Sequence, residues 1–205
     1  PIVGQENRDI SDHALEKRGV LRCVVRIDDC DVHCFVVHFG LFARSRDRQL
    51  LAVIDWIERE ISPDDPLIIA GDFNDWRNQL SDRLCRRIGV IEVFDAYRPR
   101  AQAAQRAVYY MRDRLAEFGV SPERAIPRLP RTVRAARTFP ALVPWLRMDR
   151  IYQRGFRVRS AQVYRGLEWS RLSDHSPLVA DLELLPRAAR RAASVIAAPE
   201  HHAIR

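Results

Sequence analysis

Pro66-Leu67-Ile68-Ile69-Ala70-Gly71-Asp72-Phe73-Asn74 is the stretch that decides how this chain folds. A short apolar run of this length, bounded by turn residues, reads as a buried strand. It stops on Gly71 and delivers Asp72 and Asn74 to the rim of a sheet. Side chains two apart along an extended segment point the same way. Asp72 and Asn74 are therefore expected on one face, with Phe73 anchoring the other. A carboxylate beside an amide suits a divalent cation and a phosphate oxygen.

Outward from that strand, Val20–Ile27 and Val32–Phe39 are β-branched runs joined by the polar turn Asp28-Asp29-Cys30-Asp31, a hairpin pattern. Leu50, Leu51, Ile54, Ile57 and Ile61 recur at helical spacing over Arg48–Ile61, and Pro63 ends that helix. A second helix is expected over Asp75–Ile88, with Leu80, Leu84 and Ile88 on one side. An amphipathic helix is expected over 101–119, followed by a Pro-rich surface excursion to Pro144. Met148–Gln153, Arg157–Arg165 and Leu178–Leu184 read as the last strands. Residues 1–19 read as a loop leading into the hairpin. The succession is that of a mixed α/β domain. It occupies residues 1–185, and 186–205 form a helical or disordered tail.

Composition narrows the function classes. The 205 residues, 47% hydrophobic and 30% charged, suffice for one domain with a real core. The longest apolar runs reach about five residues, well short of the ~20 of a membrane helix, so no transmembrane segment and a cytoplasmic location are expected. Cys23, Cys30, Cys34 and Cys85 fit no common zinc spacing and read as small buried residues of a reducing compartment. The net charge of +7 is carried by residues 95–147, an Arg-rich insertion with eleven Arg against four Asp or Glu. Such a segment either attracts phosphate-rich or anionic partners or is a solvated face. Its few aromatic residues leave single-strand stacking unsupported.

Polar groups collect at strand ends. His38 closes Cys34-Phe35-Val36-Val37, Asp149 opens Asp149-Arg150-Ile151-Tyr152, and Ser173-Asp174-His175-Ser176-Pro177 precedes the last strand. Gly71-Asp72-Phe73-Asn74, Met148-Asp149-Arg150-Ile151-Tyr152 and Ser173-Asp174-His175-Ser176-Pro177, in this order, resemble the endonuclease/exonuclease/phosphatase superfamily, and most of all its small bacterial members. Lys17-Arg18-Gly19-Val20-Leu21, His38-Phe39-Gly40-Leu41 and Arg137-Thr138-Phe139-Pro140 fit the same pattern.

The resemblance implies a four-layer α/β sandwich of two mixed sheets flanked by helices, and phosphate-ester cleavage with Mg²⁺ or Mn²⁺. It implies that Asp72 orients or deprotonates the attacking water, and that Asn74 holds a phosphate oxygen or the metal. Asp149 and His175 would form a carboxylate–imidazole pair, with the acid fixing the tautomer. His38 would donate to the phosphate, or else be a satisfied core residue. Asp174 would sit at or beside the metal, or else cap a turn. Arg18 would contact substrate, or else be solvated. The substrate stays open between nucleic acid and a small or lipid-linked phosphate ester.

The family pattern also begins with a strand ending in Asn, a helix, and a strand ending in Gln-Glu whose Glu holds the metal. Gln5-Glu6 has no strand before it and does not match that position. The domain is therefore expected to be incomplete at its N-terminus, with a bared part of a sheet and an unpaired edge. Weakened metal binding should leave the chain with little activity alone. The alternative is a catalytically silent fragment or binding module lacking the N-terminal metal ligand.

Overall fold

A computed structural model describes residues 1–13, 16–97 and 136–190. Most of the Arg-rich insertion, the helix expected over 101–119 and the tail beyond residue 190 lie outside them. Eight strands and four helices follow in order: β1 (Ile2–Asp9), β2 (Gly19–Ile27), β3 (Cys30–His38), α1 (Ala43–Glu60), β4 (Leu67–Asp72), α2 (Ser81–Ile88), β5 (Ile91–Glu92), α3 (Val93–Ala96), β6 (Asp149–Arg154), β7 (Phe156–Val163), α4 (Leu167–Ser170) and β8 (Leu178–Leu184). The fold is an α/β sandwich. A six-stranded mixed sheet runs β1-β2-β3-β4-β6-β5, and β7 and β8 form a second, antiparallel sheet.

Strand alternation sorts the large sheet into two faces. Phe35 and Val37 of β3, Leu67 and Ile69 of β4, and Tyr152 of β6 share a core with Leu50, Ile54, Trp56 and Ile57 of α1 and Leu84 and Ile88 of α2. Burying a side chain of this kind contributes about 1.5–3 kcal/mol, so this core fixes the register. A slip of one residue would turn every strand inside out. β3 and β4 run parallel, joined by α1, and β6 returns antiparallel to β4. The opposite face carries the paired Leu21, Val36, Ala70 and Ile151. There Val36 is half exposed although its strand is interior.

Three sequence expectations need correction. Residues 2–9 form β1, paired with β2 from Ile2↔Val25 to Asp9↔Gly19, not a loop. The stretch Gln5-Glu6-Asn7-Arg8-Asp9 has no apolar alternation, so backbone pairing to a neighbour overrides weak local preference. Glu6 thus lies within a strand, yet at the sheet edge and bonded to Arg8. The second helix starts at Ser81, not Asp75, because the Asp75 carboxylate accepts from Gln79 N (3.0 Å) and Leu80 N (2.8 Å) and closes a turn. The four cysteines are free but only half buried. No described helix is long and apolar enough to cross a membrane.

Glu92 marks a stressed point of the core. Its buried carboxylate caps α3 by accepting from Asp95 N at 3.0 Å. Burial, then the charge of Asp95 and a hydrogen bond shared with it, push its pKa from 4.5 up to about 8. An acid whose folded pKa is raised binds more protons folded than unfolded, so its contribution falls as pH rises between those two values. Glu92→Gln, which keeps an acceptor for Asp95 N, is expected to remove that loss. Melting curves should show the variant more stable than the parent near pH 8 and without advantage near pH 4.5. A parallel pH dependence of the two proteins would contradict this.

Candidate active site

The site is built from one row of the sheet. His38 pairs with Asp72, and Asp72 pairs with Asp149. Paired residues place their side chains on the same side of adjacent strands. All three have the opposite parity to the core residues of their strands, so they rise from the face away from α1 and α2. The strands reach this row through Gly71, whose φ is 140°. A Cβ there would lie 2.0 Å from the Val37 carbonyl oxygen. Glycine alone lets β3 and β4 approach this closely beneath the site.

Beyond Asp72 the chain does not continue extended, and the expected sharing of one face by Asp72 and Asn74 fails. Asn74 adopts φ 49°, a left-handed conformation that asparagine tolerates. Asp72 Oδ1 accepts from Asn74 N at 2.8 Å, and Asn74 Nδ2 donates to the Phe39 carbonyl at 2.8 Å. Phe39 N donates to Asp72 O, and Phe73 N to Met148 O, both at 2.9 Å. Buried Arg150 donates to the Asp75 carbonyl at 2.7 Å. The turn carrying Asp72 is thereby tied to β3 on one side and to the start of β6 on the other.

His175 approaches from the loop before β8. Its Nδ1 lies 2.6 Å from Asp149 Oδ2. A carboxylate only accepts, so Nδ1 carries the hydrogen and Nε2 is left for chemistry. Ser176 N donates to Thr138 O (2.8 Å) and Ala141 N to Asp174 O (2.7 Å). Thr138 Oγ1 in turn accepts from Asp149 N at 3.3 Å, and the Phe139 ring centroid stands 5.0 Å from that of His175. Burial works against a positive charge on His175. The hydrogen bond to Asp149 and the charges of Asp149, Asp72 and Asp174 outweigh it and hold the imidazole above its ordinary range. Burial raises the Asp72 carboxyl, the Asn74 N–H lowers it, and the charge of Asp149 raises it further.

Ligating atoms of Asp72, Asp149 and His175 all lie within 4.8 Å of one another. Of the other residues read from sequence, His38 stands at the mouth, its side chain 57% exposed, with Nε2 3.7 Å from Asp72 Oδ2. That is ion-pair range rather than a hydrogen bond. Asp174 is exposed and outside this group of three. Arg18 lies at the entry of β2, bonded to Glu16 at 2.5 Å. Glu16 also accepts from Leu41 N at 3.3 Å, so the pair steadies the loop after β3. Sequence reasoning missed Thr138, Arg150 and Asp75 as supports. The signal for Arg150 was its inward parity beside Tyr152, where a charge must have a partner.

A family model described as the Endonuclease/Exonuclease/phosphatase family matches residues 6–175. The uncharacterized protein YbhP of Escherichia coli (strain K12) is 33% identical over 186 residues, 90% of this chain. The chain spans 60% of the length of that curated relative. Among solved structures, the mannosyl-6-phosphatase of Bacteroides thetaiotaomicron VPI-5482 superposes with a TM-score of 0.59 at 16% identity, over 90% of this chain and 67% of its own. D. rerio TDP2 complexed with single strand DNA product gives 0.57 at 16% identity, over 89% and 68%. At such identities these two likenesses speak for the fold.

Proposed function

This chain belongs to the endonuclease/exonuclease/phosphatase family, and from that premise we propose that it hydrolyses phosphate esters at the Asp72–Asp149–His175 cluster with a divalent cation, Mg²⁺ or Mn²⁺. The observation that carries this reading is the convergence of two carboxylates and an imidazole within 4.8 Å. Hard cations take oxygen ligands. His175 Nδ1 is already engaged by Asp149, so the carboxylate oxygens of Asp72 and Asp149 suit the cation better than the imidazole does. Burial, and then the charge of Asp149, raise the Asp72 carboxyl, and a bound cation would favour its ionised form.

When bound, the cation supplies positive charge against the negative charge that gathers on the phosphate oxygens. The residues divide the remaining work. Asp72, half buried and held by the Asn74 N–H, orients the attacking water and accepts its proton. His175, positioned by Asp149, presents Nε2 to the phosphate, and its raised affinity for a proton favours its acting as a donor. His38 at the mouth adds a second imidazole donor. Asn74 has committed one amide hydrogen to Phe39 and retains one for a phosphate oxygen. Asp174 contributes negative charge beside His175. Arg18, paired with Glu16, supports the rim.

The relatives' names range from a sugar phosphate to single-strand DNA, so the fold leaves the ester class open. A second reading is a silent or merely binding chain. It is favoured by the acid count, because among the described residues only Asp72 and Asp149 bring carboxylates to the group. Mn²⁺ binding followed by electron paramagnetic resonance separates the two. Asp72→Asn is expected to weaken it about tenfold or more, with a matching loss of phosphodiester turnover. Mn²⁺ binding indifferent to Asp72 would overturn the proposal.

A further inference from the structure

The loop between Thr138 and Asp149 carries an apolar tip that neither the core nor the chemistry uses. Phe139 and Leu146 bridge its base, with Leu146 N donating to Phe139 O at 2.9 Å and Trp145 N at 3.0 Å. Between them the sequence is Pro140-Ala141-Leu142-Val143-Pro144-Trp145. Leu142 is 69% exposed, Val143 68% and Trp145 62%. The Ala141–Asp174 hydrogen bond joins this loop to the one before β8, where Leu172 is 78% exposed. Across the His38–Asp72–Asp149 row, the loop after β3 adds Leu41 at 55% and Phe42 at 64%. All these loops leave the sheet at the site's end, so six strongly exposed apolar side chains lie on loops around the mouth. Large exposed apolar side chains gathered at one end of a sheet in this way mark an interaction site.

We infer that this rim docks on the surface of an anionic phospholipid bilayer, placing the site against phosphate esters held in that surface. Charge supports that occupant. Exposed Arg44 in the first turn of α1, Arg137 just before the 138–149 loop and Arg171 in the loop before β8 flank the apolar tips, and the segment leading into the 138–149 loop carries the chain's whole positive excess. Apolar groups that enter the headgroup layer, flanked by Arg that meets anionic lipid, are how a protein lies on a membrane without crossing it. Leu41, Leu142, Val143 and Leu172 are aliphatic and outnumber the aromatic Phe42 and Trp145, whereas stacking on successive nucleic-acid bases needs aromatic faces. The inference rests on the proposed hydrolysis only for what the surface brings to the site; docking itself requires no turnover.

The test is sedimentation of the purified protein with vesicles of phosphatidylcholine alone and of phosphatidylcholine mixed with phosphatidylglycerol. Binding is expected to the mixed vesicles, weaker to the neutral ones, and reduced by added salt. The double variant Leu142→Asp, Val143→Asp is expected to bind about tenfold more weakly or worse, with unchanged melting temperature and unchanged turnover of a water-soluble phosphodiester. Lipid binding without any turnover would sink the hydrolase reading and leave the docking surface standing. Turnover without lipid binding, equal binding by the double variant, or single-stranded oligonucleotide binding that the double variant loses would each overturn the docking inference.

Discussion

Asp149→Asn is expected to lower kcat on a soluble phosphodiester by about three to four orders of magnitude at saturating metal, the scale of loss when an acid that orients a catalytic imidazole becomes an amide. The cause is local. Asp149 Oδ2 lies 2.6 Å from His175 Nδ1, and an amide in that place offers Nδ1 only a weaker, uncharged acceptor. It also removes the charge that keeps His175 protonated above its ordinary range. The Asp149 backbone, paired to Asp72 and donating to Thr138 Oγ1, is untouched, so the melting temperature should change little. Imidazole nitrogen shifts read by NMR would show the altered protonation of His175 directly. A variant that keeps more than about a tenth of the parent rate would remove the Asp149–His175 pair from the mechanism.

Gly71→Ala is expected to damage the fold rather than the chemistry. The added Cβ would fall 2.0 Å from the Val37 carbonyl oxygen, at φ 140°. Val37 cannot retreat readily, because it pairs with Val20 on one side and Gly71 on the other and is itself buried. Strain and steric conflict in the middle of a six-stranded sheet belong among the severe point substitutions, about 4 kcal/mol or more. For a chain of this size that corresponds to a fall in melting temperature of roughly 10–15 °C. Thermal denaturation of the two proteins checks it, and an unchanged midpoint would mean that the strands part more easily than their pairing implies.

Much of this architecture was legible because it rests on apolar pattern. Leu178–Leu184 was bounded correctly as a strand, and Leu67–Ala70 lies within β4. Helix α1 was recognised by Leu50, Ile54 and Ile57 but begins five residues before the expected Arg48, at Ala43. Its first turns bury Ser45 and Arg46, which bond Asp12 and the Leu41 carbonyl rather than packing as apolar groups. β1 was illegible for the same reason in reverse: its polar residues are held by the ladder to β2, and pairing leaves no trace in composition.

The site divides along similar lines. His38, Asp72, Asp149 and His175 stand where strand ends were expected to gather them. Asn74 stays bonded to Asp72 through its N–H, but strand alternation does not place its side chain, because alternation holds only while the backbone stays extended and at Asn74 it turns left-handed. Arg18 is bonded to Glu16, two residues away in sequence, a pairing that its motif did not announce. Thr138 stood in a matching motif and Arg150 had inward parity, but the bonds they make to Asp149 N and to the Asp75 carbonyl join separate segments, and sequence does not report such pairings.

The most direct test is metal add-back on the native protein carrying this chain, followed by hydrolysis of bis(p-nitrophenyl) phosphate. The protein is stripped with chelator and assayed before and after Mn²⁺ is returned, beside His175→Ala. The expected result is turnover that vanishes with the metal, returns with it, and does not return in the variant. Turnover that survives the chelator, or that Mn²⁺ restores equally in His175→Ala, would contradict a metal-dependent phosphoesterase centred on Asp72, Asp149 and His175.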